Sequence, residues 1–201
     1  MGFVGLNIDT YMSIQLHQIG QSIPLMSFDV ESCGLHGEGF AVGYVVIWRG
    51  EEVESGCFAS PLHMASGYAE DREWVKDNVP EIASESPDTF TVREKFWKKW
   101  MFWKNNGAVL AADCGWPVES RFLSLCVDEL QNDRKWDGPY PLIEISSILL
   151  SAGIDPLGQF NRLESEIPKH DPVCDARQSA RLMMEAIKKL VDLHQKAVNV
   201  A

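Results

Sequence analysis

Two acidic residues, Asp29 and Glu31, lie near the end of an apolar run in the segment SFDVES at residues 27–32. Residues two apart in a β-strand project to the same face of the sheet, so both carboxylates can bind one cation. Their hard oxygen ligands suit Mg²⁺ or Mn²⁺. Acids at this spacing are more often surface residues, but the apolar strand before them and Gly34 after them favour a metal site.

A histidine and a further acid occur in the segment HDPVCDAR at residues 170–177. His170 precedes Asp175 by five residues, and we predict that Asp175 opens a long C-terminal helix. A loop histidine suits a general base, whereas an acid fixed by a helix suits a metal ligand. An acid at a helix start also stabilises the helix by capping and by its charge. Taken alone, this segment therefore indicates a helix start.

The two segments together resemble the DEDDh group of 3′–5′ exonucleases, which carry DxE on an N-terminal strand and HxxxxDA near the C-terminus. Asp29, Glu31, His170 and Asp175 match this pattern in residue type, spacing and order, and the resemblance covers about residues 25–195. It implies an α/β protein with the ribonuclease H-like fold, in which a mixed five-stranded β-sheet is flanked by α-helices.

The same resemblance implies a metal-dependent 3′–5′ exonuclease that hydrolyses RNA or DNA from the 3′ end and releases nucleoside 5′-monophosphates. Its cofactors would be two divalent metal ions, Mg²⁺ or Mn²⁺. Asp29 would bridge both ions, and Glu31 and Asp175 would hold the first. His170 would remove the proton from the attacking water.

The chain departs from the family at the middle acid. Members usually have a segment close to NAxFDxxFL, whereas this chain has ADCGWPVESRFL at residues 112–123. Alignment on Phe122 and Leu123 places Glu119 at the acid position, in the first turn of a predicted helix. Alignment on residue type selects Asp113 instead, at the end of its predicted strand. Spacing slightly favours Glu119, and Asp113 stays a candidate ligand of the second metal.

The elements that must position these residues alternate between strands and helices. Apolar runs predict strands at residues 25–30, 40–48, 53–59, 108–112 and 141–145. Helical spacing predicts helices at residues 91–106, from Pro117 onwards and at 175–197, with a short candidate at 71–76. The rest of residues 60–90 is expected to be irregular. This order favours a mixed sheet flanked by helices, with residues 1–23 as an N-terminal extension and 24–201 as one domain.

Aromatic and basic side chains are the expected contacts with a substrate. A terminal base could stack on Phe40, Tyr44 or Trp116, although each is more simply explained as a core aromatic. The basic candidates for a phosphate track, which a charged solvent-facing surface explains equally well, are Lys95, Lys98, Lys99, Lys104, Arg121, Arg177 and Arg181. Trp97, Trp100 and Trp103 could also stack on bases, but their helical spacing predicts hydrophobic packing instead, in this chain or against the second subunit of a homodimer.

Composition limits the class of protein. The chain has 201 residues, of which 45% are hydrophobic, and a formal net charge of −11. This charge argues against a protein that coats nucleic acid, but not against a nuclease whose acids bind cations. Five cysteines without a CxxC pair fit a reducing compartment. No run approaches the roughly 20 apolar residues of a membrane span, and the first residues show no secretory signal, so we expect a cytoplasmic protein without membrane contact.

Other functions stay open at this stage. The irregular middle acid favours an exonuclease-like fold that has lost turnover and acts as a nucleic-acid-binding or interaction module. A zinc site could combine His170 and Cys174 with Cys33 or Cys114, but no typical ligand spacing supports it. A hydrolase could also act on short oligoribonucleotides or a nucleotide signal instead of long polymers. No local motif distinguishes ribose from deoxyribose.

Overall fold

The computed structural model describes residues 15–200, so residues 1–14 of the predicted extension and Ala201 lie outside the described residues. The strands are β1 (Leu25–Ser32), β2 (Gly39–Trp48), β3 (Glu51–Ala59), β4 (Val109–Ala112) and β5 (Leu142–Glu144). The helices are α1 (Ala69–Asn78), α2 (Thr89–Asn105), α3 (Val118–Asp128), α4 (Gln131–Arg134), α5 (Ile145–Ser151) and α6 (Pro172–Val200). The sequence predicted all of these except α4 and α5, which are too short to show a helical period.

The strands form one five-stranded sheet in the order β3-β2-β1-β4-β5. The pairs β3-β2 and β2-β1 are antiparallel, whereas β1-β4 and β4-β5 are parallel. The turn between β2 and β3 consists of Arg49 and Gly50, both with positive φ angles of 58° and 79°. Such two-residue turns match the twist of a hairpin. The predicted α/β class with a mixed five-stranded sheet flanked by helices is confirmed.

Side chains of β1 alternate between the two faces of the sheet, so its apolar residues and its acids point in opposite directions. Met26, Phe28 and Val30 point to the face covered by α2 and α3, where they are buried in a core with large aromatic residues. Asp29 and Glu31 point to the opposite face, which α5 and α6 cover. The core aromatics include Trp97, Trp100 and Trp103, so their predicted hydrophobic packing is confirmed within this chain.

The longest helix, α6, packs its apolar stripe on the sheet. The predicted inner positions Ala176, Ala180, Met183 and Ile187 are all buried, and Leu190 is partly buried against the same core. Ile19, from the described part of the predicted extension, is buried in this layer as well. Between residues 15 and 200, no helix is both long enough and apolar enough to span a membrane.

The start of α6 differs from the prediction. The helix begins at Pro172 instead of Asp175, because Asp171 is its N-cap: Asp171 Oδ1 accepts hydrogen bonds of 3.0 Å from the backbone N–H groups of Val173 and Cys174. Asp175 therefore lies in the first turn with a carboxylate that the cap does not use. The helix start also lies directly on β2, since a Cβ added to Gly43 would be 2.2 Å from the Pro172 backbone.

Candidate active site

The predicted pair of acids on β1 forms the centre of the site. In the antiparallel pairing with β2, Asp29 lies opposite Gly43 and Glu31 lies opposite Ala41. These small partners let the first turn of α6 approach the two carboxylates closely. Glu31 is only 8% exposed, and Asp29 is half-buried. Both acids therefore lie on one face of the sheet, as their spacing predicts.

Asp113 reaches the same place from the neighbouring parallel strand. The register pairs Phe28 with Ala112, so Asp113 follows next to Asp29. Asp113 is exposed, and the Ser146 hydroxyl donates to its Oδ1 at 3.3 Å. The Ser146 backbone N–H also donates to the Asp113 carbonyl oxygen at 3.0 Å. These bonds fix Asp113 at the rim of the site.

Glu119 reaches the site from the first turn of α3 and is buried. Burial raises the pKa of its carboxyl to about 7, although interactions with the backbone N–H groups of Glu119 and Val30 oppose this shift. The nearby charge of Asp113 adds to the rise. Both candidates for the middle acid thus lie beside the DxE pair, one buried and one exposed.

The C-terminal segment completes the group. Candidate ligand atoms of Glu31, His170 and Asp175 all lie within 4.8 Å of one another. The His170 backbone N–H donates to Asp175 Oδ2 at 3.1 Å, which ties the loop to the helix. His170 has a φ of 61°, a left-handed conformation that is rare for residues other than glycine. Strained backbone of this kind is common at functional sites.

The carboxylates repel one another. Burial raises the pKa of Asp29 well above its ordinary value, and the charges of Glu31, Glu119, Asp175 and Asp113 raise it further. Burial also raises the pKa of Glu31 to about 8, with further contributions from Asp175, Glu119 and Asp171. A bound cation would relieve this repulsion. A donor set of carboxylate oxygens fits Mg²⁺ or Mn²⁺.

One positively charged side chain, which the sequence did not indicate, contacts this group of acids. Arg162 Nη1 donates to Asp175 Oδ1 at 2.5 Å and to the Glu166 carbonyl oxygen at 2.8 Å. Within residues 15–200, this is the one ion pair formed by any of the five site acids. Arg162 lies in a stretch without regular structure, so no local pattern could have identified it.

A cavity of about 330 Å³ adjoins Glu31 and His170. Its aromatic wall is Trp74 of α1, which is 52% exposed and meets the His170 ring edge to face at a centroid distance of 5.5 Å. Trp74 lies in the short helix predicted at residues 71–76, but no local pattern indicated that this helix borders the site, so the sequence analysis gave Trp74 no role.

The three aromatic residues proposed for base stacking differ in burial. Phe40 and Tyr44 are buried in the core, which confirms the simpler interpretation of both. Trp116 is 75% exposed, so its interpretation as a core aromatic is wrong. It stands in the loop between β4 and α3, where it has no hydrophobic partner in the described core clusters.

Most of the basic candidates serve local ion pairs. Arg177 pairs with Glu52 at 2.7 Å, and Arg181 pairs with Glu166 at 2.6 Å. The α2 lysines belong to the opposite face of the sheet, where the pairs are Lys99 with Glu54 and Lys104 with Asp137. The charged-surface interpretation therefore fits these residues better than a phosphate track. Arg121 differs, since it is exposed and follows Glu119 by two residues.

Comparison with known proteins does not identify the site. No protein-family model matches the chain, and neither does any curated protein. Among residues 15–200, the one group of side chains placed to hold a metal consists of Glu31, His170 and Asp175, and it contains no cysteine. The described residues therefore include no group of ligands that would form the alternative zinc site with Cys174.

Proposed function

We propose that this chain is a metal-dependent 3′–5′ exonuclease with a ribonuclease H-like fold, which releases nucleoside 5′-monophosphates from nucleic acid. The observation that carries the proposal is the convergence of acids from distant parts of the chain, around positions 30, 115 and 175, with His170 at one place on the sheet. The five-stranded mixed sheet flanked by helices agrees with this fold.

The positions of the acids support distinct roles in metal binding. Asp29 is the central acid, because the charges of all four others act on it, and it suits a bridge between two divalent ions. Glu31 and Asp175 would hold the first ion together. Ions bound here would lower the pKa of a water molecule and stabilise negative charge on the phosphate and the leaving oxygen.

His170 is the proposed general base. Its ring lies beside Glu31 and Asp175 and contacts Trp74, so it faces both the acid cluster and the cavity. A neutral imidazole can take the proton of the attacking water and then release it to solvent. Trp74 restrains the ring, and the bond from the His170 N–H to Asp175 restrains its backbone.

Glu119 is the better supported middle acid. It is buried, and its charge acts on both Asp29 and Glu31. Asp113 acts on Asp29 and is held by Ser146 at the exposed rim. We infer that Glu119 binds the second metal and that Asp113 assists it.

A second candidate, hydrolysis of short oligoribonucleotides, is favoured by the distribution of basic residues. A long polymer needs several cations along its phosphates. The arginines of α6 pair with acids, and the α2 lysines lie on the opposite face of the sheet. The cavity next to the site suits one nucleotide, which leaves few contacts for the rest of a long chain.

The test uses end-labelled single-stranded RNA and DNA, matching duplexes and oligomers of two to five nucleotides, with Mg²⁺ or Mn²⁺. Wild-type protein should shorten a substrate from its 3′ end and release nucleoside 5′-monophosphate. Asp29→Asn should reduce the rate by at least about 10³-fold. The matched control is Asp128→Asn, an exposed acid on α3, which should retain the wild-type rate.

The same assay compares the two middle acids. Glu119→Gln should reduce cleavage more than Asp113→Asn does, and the reverse order would assign the second metal to Asp113. A protein that binds these substrates but shortens none of them would be an interaction module, and the exonuclease proposal would be wrong.

A further inference from the structure

The cavity beside the site contains an acid that does not belong to the metal cluster. The Asp71 carboxylate lies against Gly34, where a Cβ would be 2.3 Å from Asp71 Oδ2. The charges that raise the pKa of Glu31 come from Asp175, Glu119 and Asp171, and Asp71 is not among them. Asp71 thus faces the cavity from α1 and is not one of the group Glu31, His170 and Asp175.

No group within residues 15–200 satisfies this carboxylate. Asp71 is half-buried, yet no side chain or backbone N–H of the described chain donates to it, and it forms no ion pair there. A carboxylate has about four acceptor positions and no donor. A half-buried acceptor without a partner is costly unless a ligand or water supplies hydrogen bonds.

The position of Asp71 in a helix does not explain its presence in the cavity. An acid in the first turn of α1 is favourable because of the helix dipole. Glu70 occupies the same turn and is exposed, and it does not line the cavity. Glu70 alone can therefore interact favourably with the helix dipole. Substitution of Glu70 is a matched control for substitution of Asp71.

The rest of the cavity is suited to one nucleoside. Trp74 and Leu35 are 52% and 67% exposed and form apolar walls. Indole rings stack on any base. A volume of about 330 Å³ lies near the lower end of the roughly 300–1,000 Å³ range of small-ligand pockets. It fits a single nucleotide unit better than a stretch of polymer.

We propose that this cavity binds the 3′-terminal nucleotide of RNA, with Trp74 against the base and Asp71 accepting a hydrogen bond from the ribose 2′-hydroxyl. The inference rests on the exonuclease function proposed above. A deoxyribose lacks the 2′-hydroxyl donor and leaves the carboxylate unpaired. The substrate class is therefore RNA, and only the terminal sugar is read.

Chimeric substrates test this directly. Wild-type protein should cleave RNA about 10-fold to 100-fold faster than DNA of the same sequence, in kcat/KM, which is the range for a hydrogen bond to a charged group. DNA with one 3′-terminal ribonucleotide should match RNA in the first cleavage. Asp71→Ala should abolish the difference, so that RNA and DNA of the same sequence are cleaved at equal kcat/KM. Glu70→Ala should leave both rates unchanged.

A binding measurement separates this inference from the exonuclease proposal. Tryptophan fluorescence should show tighter binding of 5′-AMP than of 5′-dAMP, and Asp71→Ala should make the two equal. Trp74→Phe should weaken both by a similar factor. This preference without any cleavage would support the pocket and contradict the exonuclease function. Cleavage and binding that ignore the terminal sugar would overturn the inference and leave the exonuclease function in place.

Discussion

Two groups of charged side chains on opposite faces of the sheet have opposite electrostatics. On the α2 side, Arg93 is 3% exposed and pairs with both Glu38 and Glu129. Burial would raise the pKa of Glu38, but hydrogen bonds from Thr89, the Ser66 backbone and Arg93 outweigh it and lower the pKa. Each acid here has a cation or a donor.

In the group of acids at the candidate site, on the α6 side, five acids share one paired cation. Asp29 and Glu31 have raised pKa values because burial and neighbouring acids both disfavour their charged forms. Arg162 neutralises one acid of the group, Asp175. Buried acids that support the fold are therefore paired with cations or hydrogen-bond donors. At the proposed metal site, by contrast, the acids exceed the cations that pair with them. Stability and activity should respond differently to changes in the two groups.

The largest effect is expected at the paired group. Arg93→Met removes a buried cation and leaves two acids uncompensated, so the free energy of unfolding should fall by about 3–5 kcal/mol. Urea denaturation followed by circular dichroism measures this change. Lys98→Met, an exposed position on the same helix, is the control and should change little. A loss below about 1 kcal/mol would mean that the pairing is not structural.

At the metal-site group, His170→Ala should affect rate and not stability. Loss of the proposed general base should lower kcat by about 10²-fold or more, whereas the melting temperature should stay the same. Mn²⁺ binding, measured by calorimetric titration, should persist because the carboxylates remain. His63→Ala, at an exposed histidine, should behave as wild type. Unchanged turnover in His170→Ala would remove this residue from the mechanism.

The pH dependence of stability sharpens the contrast. Glu31 has a pKa of about 8 in the folded protein and an ordinary value of 4.5, and Glu119 has a pKa of about 7. The folded state therefore binds these protons more tightly than the unfolded state. Their stabilising contribution is complete below about pH 4.5 and is lost as the pH rises towards 8.

Without divalent ions, the free energy of unfolding should fall by about 2 kcal/mol between pH 5.5 and 8.5, which corresponds to about 4–8 °C in Tm. Mn²⁺ at pH 8.5 should restore it, since ligands stabilise the state that binds them. Glu31→Gln should flatten the profile. A wild-type profile that is already flat in EDTA would show that folding does not raise the pKa values of these acids.

The smallest effect is expected for a partly exposed pair. Lys99 and Glu54 are each 29% exposed at the side chain, and Glu54 also accepts from Tyr44 and Trp103. Lys99→Met should therefore cost less than about 1 kcal/mol, measured by urea denaturation. A cost comparable with that of Arg93→Met would show that exposure does not separate the two kinds of pair.

Local patterns predicted the chemistry on β1 and most of the elements. The alternation in SFDVES was enough to place Asp29 and Glu31 on one face, because strand geometry fixes this relation within a few residues. Helical spacing likewise predicted the apolar face of α6. The start of α6 was placed three residues late, since the capping role of Asp171 competed with the acid signal at Asp175.

The order of residues along the chain identified the acids and the histidine that meet at the candidate site, and the spacing within single elements indicated which of them share a face. Only the tertiary structure decided that Glu119 is buried while Asp113 lies at the rim, that Arg162 pairs with Asp175, and that Trp74 lines the cavity. These contacts join residues far apart in sequence. They depend on how helices pack on the sheet, as at Gly43, and no local period encodes that packing.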